Sequence, residues 1–155
     1  MPDRPRSYLV VVDDTPESRL ALRFAARRAA KNDGHVSLLH VIPPTDFIQW
    51  GGVQEVIEAE AQEKAEALLS AVAEEVGNET GIHPSFSVRH GQPADEVLKA
   101  VTADRDLQLL VLGAASSGAP GPLVTFFSGE AAGQLPCPVL IVPGGLDDGA
   151  LDRLA

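Results

Sequence analysis

A single cysteine, Cys137, set between Pro136 and Pro138, is all the thiol chemistry this 155-residue sequence holds. One thiol excludes an intrachain disulfide and a thiolate metal cluster, as a reducing compartment permits. Bases are scarce as well: twelve Lys and Arg against twenty-two Asp and Glu leave a net charge of −10. Such a field repels phosphate backbones and anionic bilayers, so neither nucleic acid nor a membrane surface is an expected partner. Long apolar runs are missing too. Stretches such as Leu9–Val12 and Val139–Val142 fall far short of the roughly 18–20 residues a bilayer span needs. The opening Met-Pro-Asp-Arg-Pro-Arg does not lead into an apolar export segment, and the expected location is the cytoplasm.

What is present suits one globular domain. The apolar share is 45%, and a chain of this length buries roughly 70% of its unfolded surface, enough for a core without staples. Tyr8–Asp13 is a short β-branched run that reads as a strand buried on both faces. A helix follows, capped by Asp14 or Thr15, with Pro16 in its first turn and Leu20, Ala21, Phe24, Ala25 and Ala29 on one stripe. Asn32-Asp33-Gly34 stops it. The alternation repeats: strand His35–Val41, helix Val53–Val76 ended by Gly77, strand Phe86–His90, helix Pro93–Ala103, strand Leu107–Leu112, a helix ending before Pro136, and strand Val139–Val142. Five strands alternating with four helices predict right-handed crossovers and an open, doubly wound parallel sheet covered on both faces. Residues 1–145 form the one predicted domain. In the tail, 146–155, Leu146, Leu151 and Leu154 either make a short amphipathic turn, able to fold over the last strand, or fray.

Ligands of such sheets sit outside the strand carboxyl ends, where strand order reverses. That rim holds Asp13, Val41–Pro44, His90–Pro93 and the loop Gly113–Gly121. Asp13 can accept hydrogen bonds from a ribose or amine, or it can serve the turn. Asp14 is better placed to cap the helix, which frees Asp13. The loop Gly113-Ala-Ala-Ser-Ser-Gly-Ala-Pro-Gly121 lets backbone N–H groups approach an anion, yet it carries neither the Lys of a Walker loop nor a full Gly-x-Gly-x-x-Gly. His40 and His90 end neighbouring candidates and, with Asp13, make a metal-ligand inventory; the spacing has no local metal signature, and no metal is expected. No Gly-x-Ser-x-Gly elbow follows a strand, Ser128 falls inside a predicted helix, and Cys137 reads as a small packed residue. Charge is segregated. Arg4, Arg6, Arg19, Arg23, Arg27, Arg28 and Lys31 crowd the first thirty-one residues, while Glu55, Glu58, Glu60, Glu63, Glu66, Glu74 and Glu75 meet only Lys64 on the second helix. The two helices can therefore pair within or between molecules, against the plainer reading of two solvated faces.

Three stretches, Leu9–Ser18, Leu38–Val41 and Pro136–Pro143, resemble the universal stress protein family, and the resemblance runs from Tyr8 to Pro143. It implies strand order 3-2-1-4-5, an adenine nucleotide alpha-hydrolase-like fold, and a homodimer paired through the fifth strands, here Val139–Val142. It also implies a site for ATP or AMP built from Asp13, Val41, Gly113, Ala114, Ser116, Ser117 and Gly121. The family's loop reads Gly, two residues, Gly, nine residues, Gly, then Ser or Thr. Ser116 stands here in place of the second Gly and Phe126-Phe127 in place of Gly-Ser. A Cβ is added and a hydroxyl lost where phosphate would be held, so weak nucleotide binding is expected. The resulting expectation is a non-catalytic stress-response or regulatory protein acting on an unidentified partner. The alternative is a nucleotide-hydrolysing or metal-dependent enzyme using Asp13, His40 and His90.

Overall fold

The computed structural model describes residues 6–44 and 53–155, with side chains in the second helix from residue 55 onward; Arg4 lies outside the described residues. The strands are β1 (Ser7–Val11), β2 (His35–Ile42), β3 (Ser85–His90), β4 (Leu107–Ala114) and β5 (Val139–Pro143). All pairings are parallel, in the order β3-β2-β1-β4-β5. Helices α1 (Pro16–Asn32), α2 (Val53–Thr80), α3 (Pro93–Ala103), α4 (Pro122–Ser128) and α5 (Asp148–Leu154) complete the chain, with a 3-10 turn at Ala132–Gln134.

Alternation along the central strands splits the core in two. Tyr8, Val10, Val36, Leu38 and Val111 pack with Leu22, Ala26 and Leu69 from α1 and α2. Leu9, Leu39, Leu110 and Leu112 pack on the other face with Val97 and Val101 from α3 and with Phe127 from α4. Phe127 is 1% exposed and meets Phe126 edge to face at 5.0 Å. The two aromatics that replace the family's Gly-Ser thus anchor α4 in the core.

Three helix ends differ from the sequence reading. Thr15, not Asp14, caps α1: its hydroxyl accepts the Ser18 N–H at 3.3 Å, while Asp14 stays exposed, 3.7 Å from Arg19. Helix α2 runs past Gly77 to Thr80, because the left-handed stop is Gly81 at φ +78, whose N–H reaches the Gly77 carbonyl at 2.9 Å. Gly77 instead makes room for the His83 imidazole, which would lie 3.2 Å from a Cβ there. Helix α4 ends at Ser128, well short of Pro136, where Gly129 follows with φ −106 and ψ −111.

The tail takes the helical alternative. Asp147 caps α5 by accepting the Ala150 N–H at 2.8 Å, and Leu151 is fully buried in the cluster that holds Leu22 and Ala26. Helix α5 therefore folds back over α1, not across β5. Arg23 reaches Asp148 at 2.8 Å, Arg27 pairs with Asp152, and the Lys31 ammonium donates to the Ala155 carbonyl at 2.8 Å. Both arginines also share Glu79 Oε1, Arg27 at 2.8 Å and Arg23 at 3.3 Å. Helices α1 and α2 do pair, then, through Glu79 near the end of α2, a residue outside the seven glutamates singled out from sequence.

The hydrogen bond from Arg27, reinforced by Arg23, holds the Glu79 carboxyl below its ordinary value against the opposing effect of burial. A depressed folded-state pKa gives stability that is present above the ordinary carboxylate range and lost as pH falls through the depressed value. Urea midpoints of wild type and Glu79→Gln are expected to differ at neutral pH and to converge on acidification below that range; a gap independent of pH would remove the carboxylate from the account.

Candidate functional site

Where β1 ends, one more rung holds: the Val12 N–H donates to the Leu39 carbonyl at 2.8 Å. The chain then turns sharply. Asp13 Oδ1 accepts the Thr15 N–H at 3.0 Å and also the Thr15 hydroxyl. Ser18, 4% exposed, donates its hydroxyl to the Asp13 carbonyl at 2.8 Å and accepts the Asp13 N–H at 3.2 Å. One carboxylate oxygen and the backbone of Asp13 are thereby fixed, and Oδ2 meets no donor among the described residues. Asp13 does both jobs that the sequence left open: it closes the turn and presents an acceptor at the rim.

The register assigns a role to Val41. Leu39 turns its peptide groups toward β1 and Ile42 toward β3, where its carbonyl takes the Gly91 N–H at 3.0 Å. Val41 therefore faces β1 one step beyond its last rung, with a backbone donor and acceptor directed at the rim.

Between these groups lies a cavity of about 260 Å3. Asp13, Val41, Gly113 and Gly121 line it; Ala114, Ser116 and Ser117 do not. Ser116 and Ser117 are exposed, and the Ala114 carbonyl accepts the Gly144 N–H at 2.8 Å, tying the end of β4 to the turn after β5. The loop itself is pinned by the Ala115 N–H on the Pro120 carbonyl at 3.1 Å, with Gly118 and Gly121 at φ +74 and +118. Sequence reasoning missed Thr15 at the cap of α1, Glu17 and Ser18 from α1, and Leu123 and Val124 from α4, all on the wall. Thr15 and Ser18, both cap-type residues three apart beside Asp13, were the available signal.

Among the described residues, the titratable side chains on the wall are Asp13, Glu17 and His40, with no Lys or Arg. His40 Nδ1 lies 2.7 Å from the Val12 carbonyl, while His90 Nε2 is drawn to Gln62 Oε1 at 2.8 Å on α2. The structure does not bring Asp13, His40 and His90 together. Among the described residues no three His, Cys, Asp or Glu side chains converge as a ligand set. Burial raises the Cys137 thiol above its ordinary value, against a hydrogen bond from the Leu110 backbone, in keeping with a packed, unreactive residue. No helix of the described residues is long and apolar enough to cross a membrane.

A five-stranded parallel sheet in this order, with a cavity at the point where it reverses, defines the doubly wound α/β class. Within that class the chain belongs to the universal stress protein family, whose model matches residues 6–143. A universal stress protein of Mycolicibacterium smegmatis is 31% identical over 119 residues, which are 73% of this chain and 39% of that protein. The chain thus spans about two fifths of the length of that relative. Universal stress protein UspA from Lactobacillus plantarum superposes with a TM-score of 0.68 at 18% identity, covering 90% of this chain and 99% of that one. A universal stress protein family protein from Arabidopsis thaliana, solved with AMP bound, gives 0.63 at 18% identity over 93% and 95% of the two chains.

Proposed function

We propose that this chain is a non-catalytic stress-response or regulatory protein whose rim cavity takes an adenine nucleotide weakly, holding the nucleoside and leaving the phosphates poorly bound. The observation that carries the reading is the pairing of a free Asp13 Oδ2 with the outward backbone of Val41 across one cavity. A ribose hydroxyl donates to the former, and the donor and acceptor edge of adenine suits the latter. AMP bound to the Arabidopsis relative supports the same ligand class.

The wall fits the phosphates less well. Each added phosphate brings negative charge toward Asp13 and Glu17 with no cation among the described residues of the wall to meet it. A volume of about 260 Å3 also falls just under the range of about 300–1,000 Å3 usual for small-molecule sites.

Calorimetry with AMP and ATP, with and without magnesium, tests this. Both nucleotides are expected to bind with similar, weak affinity that magnesium leaves unchanged. Asp13→Asn, which keeps the turn acceptor, is expected to weaken binding by about 1.5–3 kcal/mol, the worth of a hydrogen bond to a charged group. Sub-micromolar, magnesium-dependent ATP binding, or ATP turnover that Asp13→Ala abolishes, overturns the reading.

The proposal extends to assembly. β5 is a sheet edge on which Ile141 is 37% exposed, and pairing with a two-fold mate would satisfy its outer backbone. Pro138 and Pro143 bracket the ladder, since neither can donate. Light scattering is expected to give a dimer for wild type and a monomer with nearly unchanged thermal stability for Ile141→Lys. A wild-type monomer at micromolar concentration removes this interface.

A further inference from the structure

A second cavity, of about 490 Å3, opens between the carboxyl end of β2 and the middle of α2. Its volume lies inside the usual small-molecule range, and its one residue in common with the rim cavity is His40. Ile42, Pro43, Ala61, Ala65 and Leu68 give it an apolar wall, and its polar groups are Asp14, His40 and Lys64.

One of those groups is prepared for an anion. Lys64 is the one base on glutamate-rich α2, yet its ammonium has no ion-pair partner among the described residues, not even Glu60 one turn before it. His40 Nδ1 donates to the Val12 carbonyl at 2.7 Å, which fixes the ring on the cavity wall. Asp14 opposes an anion there, but its side chain is 82% exposed and sits 3.7 Å from Arg19.

We propose that this cavity binds a small amphipathic monocarboxylate, with its hydrocarbon part on Ile42, Ala65 and Leu68 and its single negative charge on Lys64. One full cation beside Asp14 suits a monoanion better than a phosphate dianion. A wall of alkyl and proline carbons suits a hydrocarbon better than a sugar. The inference stands apart from nucleotide binding, because the two cavities share only His40.

Octanoate titrated into the full chain, followed by calorimetry and by the ring resonances of the four histidines, tests it, with octanol and octylamine as matched neutral and cationic probes. Octanoate is expected to saturate one site and to move the His40 resonances, with the other two probes at least about tenfold weaker. Lys64→Gln is expected to cost octanoate about tenfold while leaving octanol unchanged. Ala61→Phe, which fills the cavity from a half-buried helix position, is expected to abolish octanoate binding without altering AMP binding. No saturable binding, equal affinity for acid and alcohol, indifference to Lys64→Gln, or shifts confined to the other histidines overturns the proposal.

Discussion

Gly113→Ala is expected to destabilise the protein by about 1–3 kcal/mol, the usual cost of forcing extra carbon into a packed interior, or more where the obstacle cannot move. A Cβ at Gly113 would lie 2.2 Å from the Glu17 carbonyl oxygen, 2.5 Å from its carbon and 3.0 Å from the Ser18 nitrogen. Every one of these atoms is backbone in the first turn of α1, held by the Thr15 cap and the Ser18 hydroxyl bonds. Relief requires β4 and α1 to separate, which also moves the Asp13 turn. Gly145→Ala is the matched control, since its nearest neighbour would be the Ser116 Cβ at 3.8 Å, and less than about 0.5 kcal/mol is expected there. Urea unfolding of both variants decides it. Equal midpoints would falsify the close approach of β4 to α1.

Leu151→Ala is expected to cost about 2–5 kcal/mol, the range for truncating a buried leucine. The side chain is fully buried although it sits four residues from the end of the sequence, on a helix of seven residues. Leu154, on the same helix and 50% exposed, is the control; Leu154→Ala should stay within about 0.5 kcal/mol. A small loss at Leu151 would make α5 a peripheral attachment and residues 146–155 a separable tail. A loss in the stated range makes α5 part of the core that the sheet requires.

Strand positions were legible because β-branched runs such as Leu9–Val12 and Val139–Val142 have few other places to go in a chain that alternates so regularly. The strand order came from resemblance, since periodicity says nothing of which strands are neighbours. Helix ends were less legible for local reasons. Asp14 and Thr15 are equivalent as cap types, and only the path of the chain, with Thr15 at φ −107 and ψ 151, selects the second. Gly77 reads as a stop by composition, but the helix ends where φ turns positive, at Gly81. Asp13 and Val41 could be placed at the rim from their strand-end positions alone. Gly113 reads in sequence as a residue that lets a ligand approach, whereas the body it accommodates is α1 itself.

The shared acceptor at Glu79 has a consequence for how the molecule opens. Arg27 holds Glu79 with one guanidinium nitrogen and Asp152 of α5 with the other, while Arg23 spans Glu79 and Asp148 of α5 from a single nitrogen. Releasing α5 therefore frees both guanidinium groups to swing, and the final turn of α2 loses the partners that hold it. Segments about seventy residues apart in the chain then belong to one cooperative opening unit, whose free energy is set jointly by Leu151 burial and by a carboxylate that salt and acid can weaken. The described wall of the rim cavity takes no residue from α2 or α5, so that opening unit and the ligand-facing ends of the strands meet only through α1.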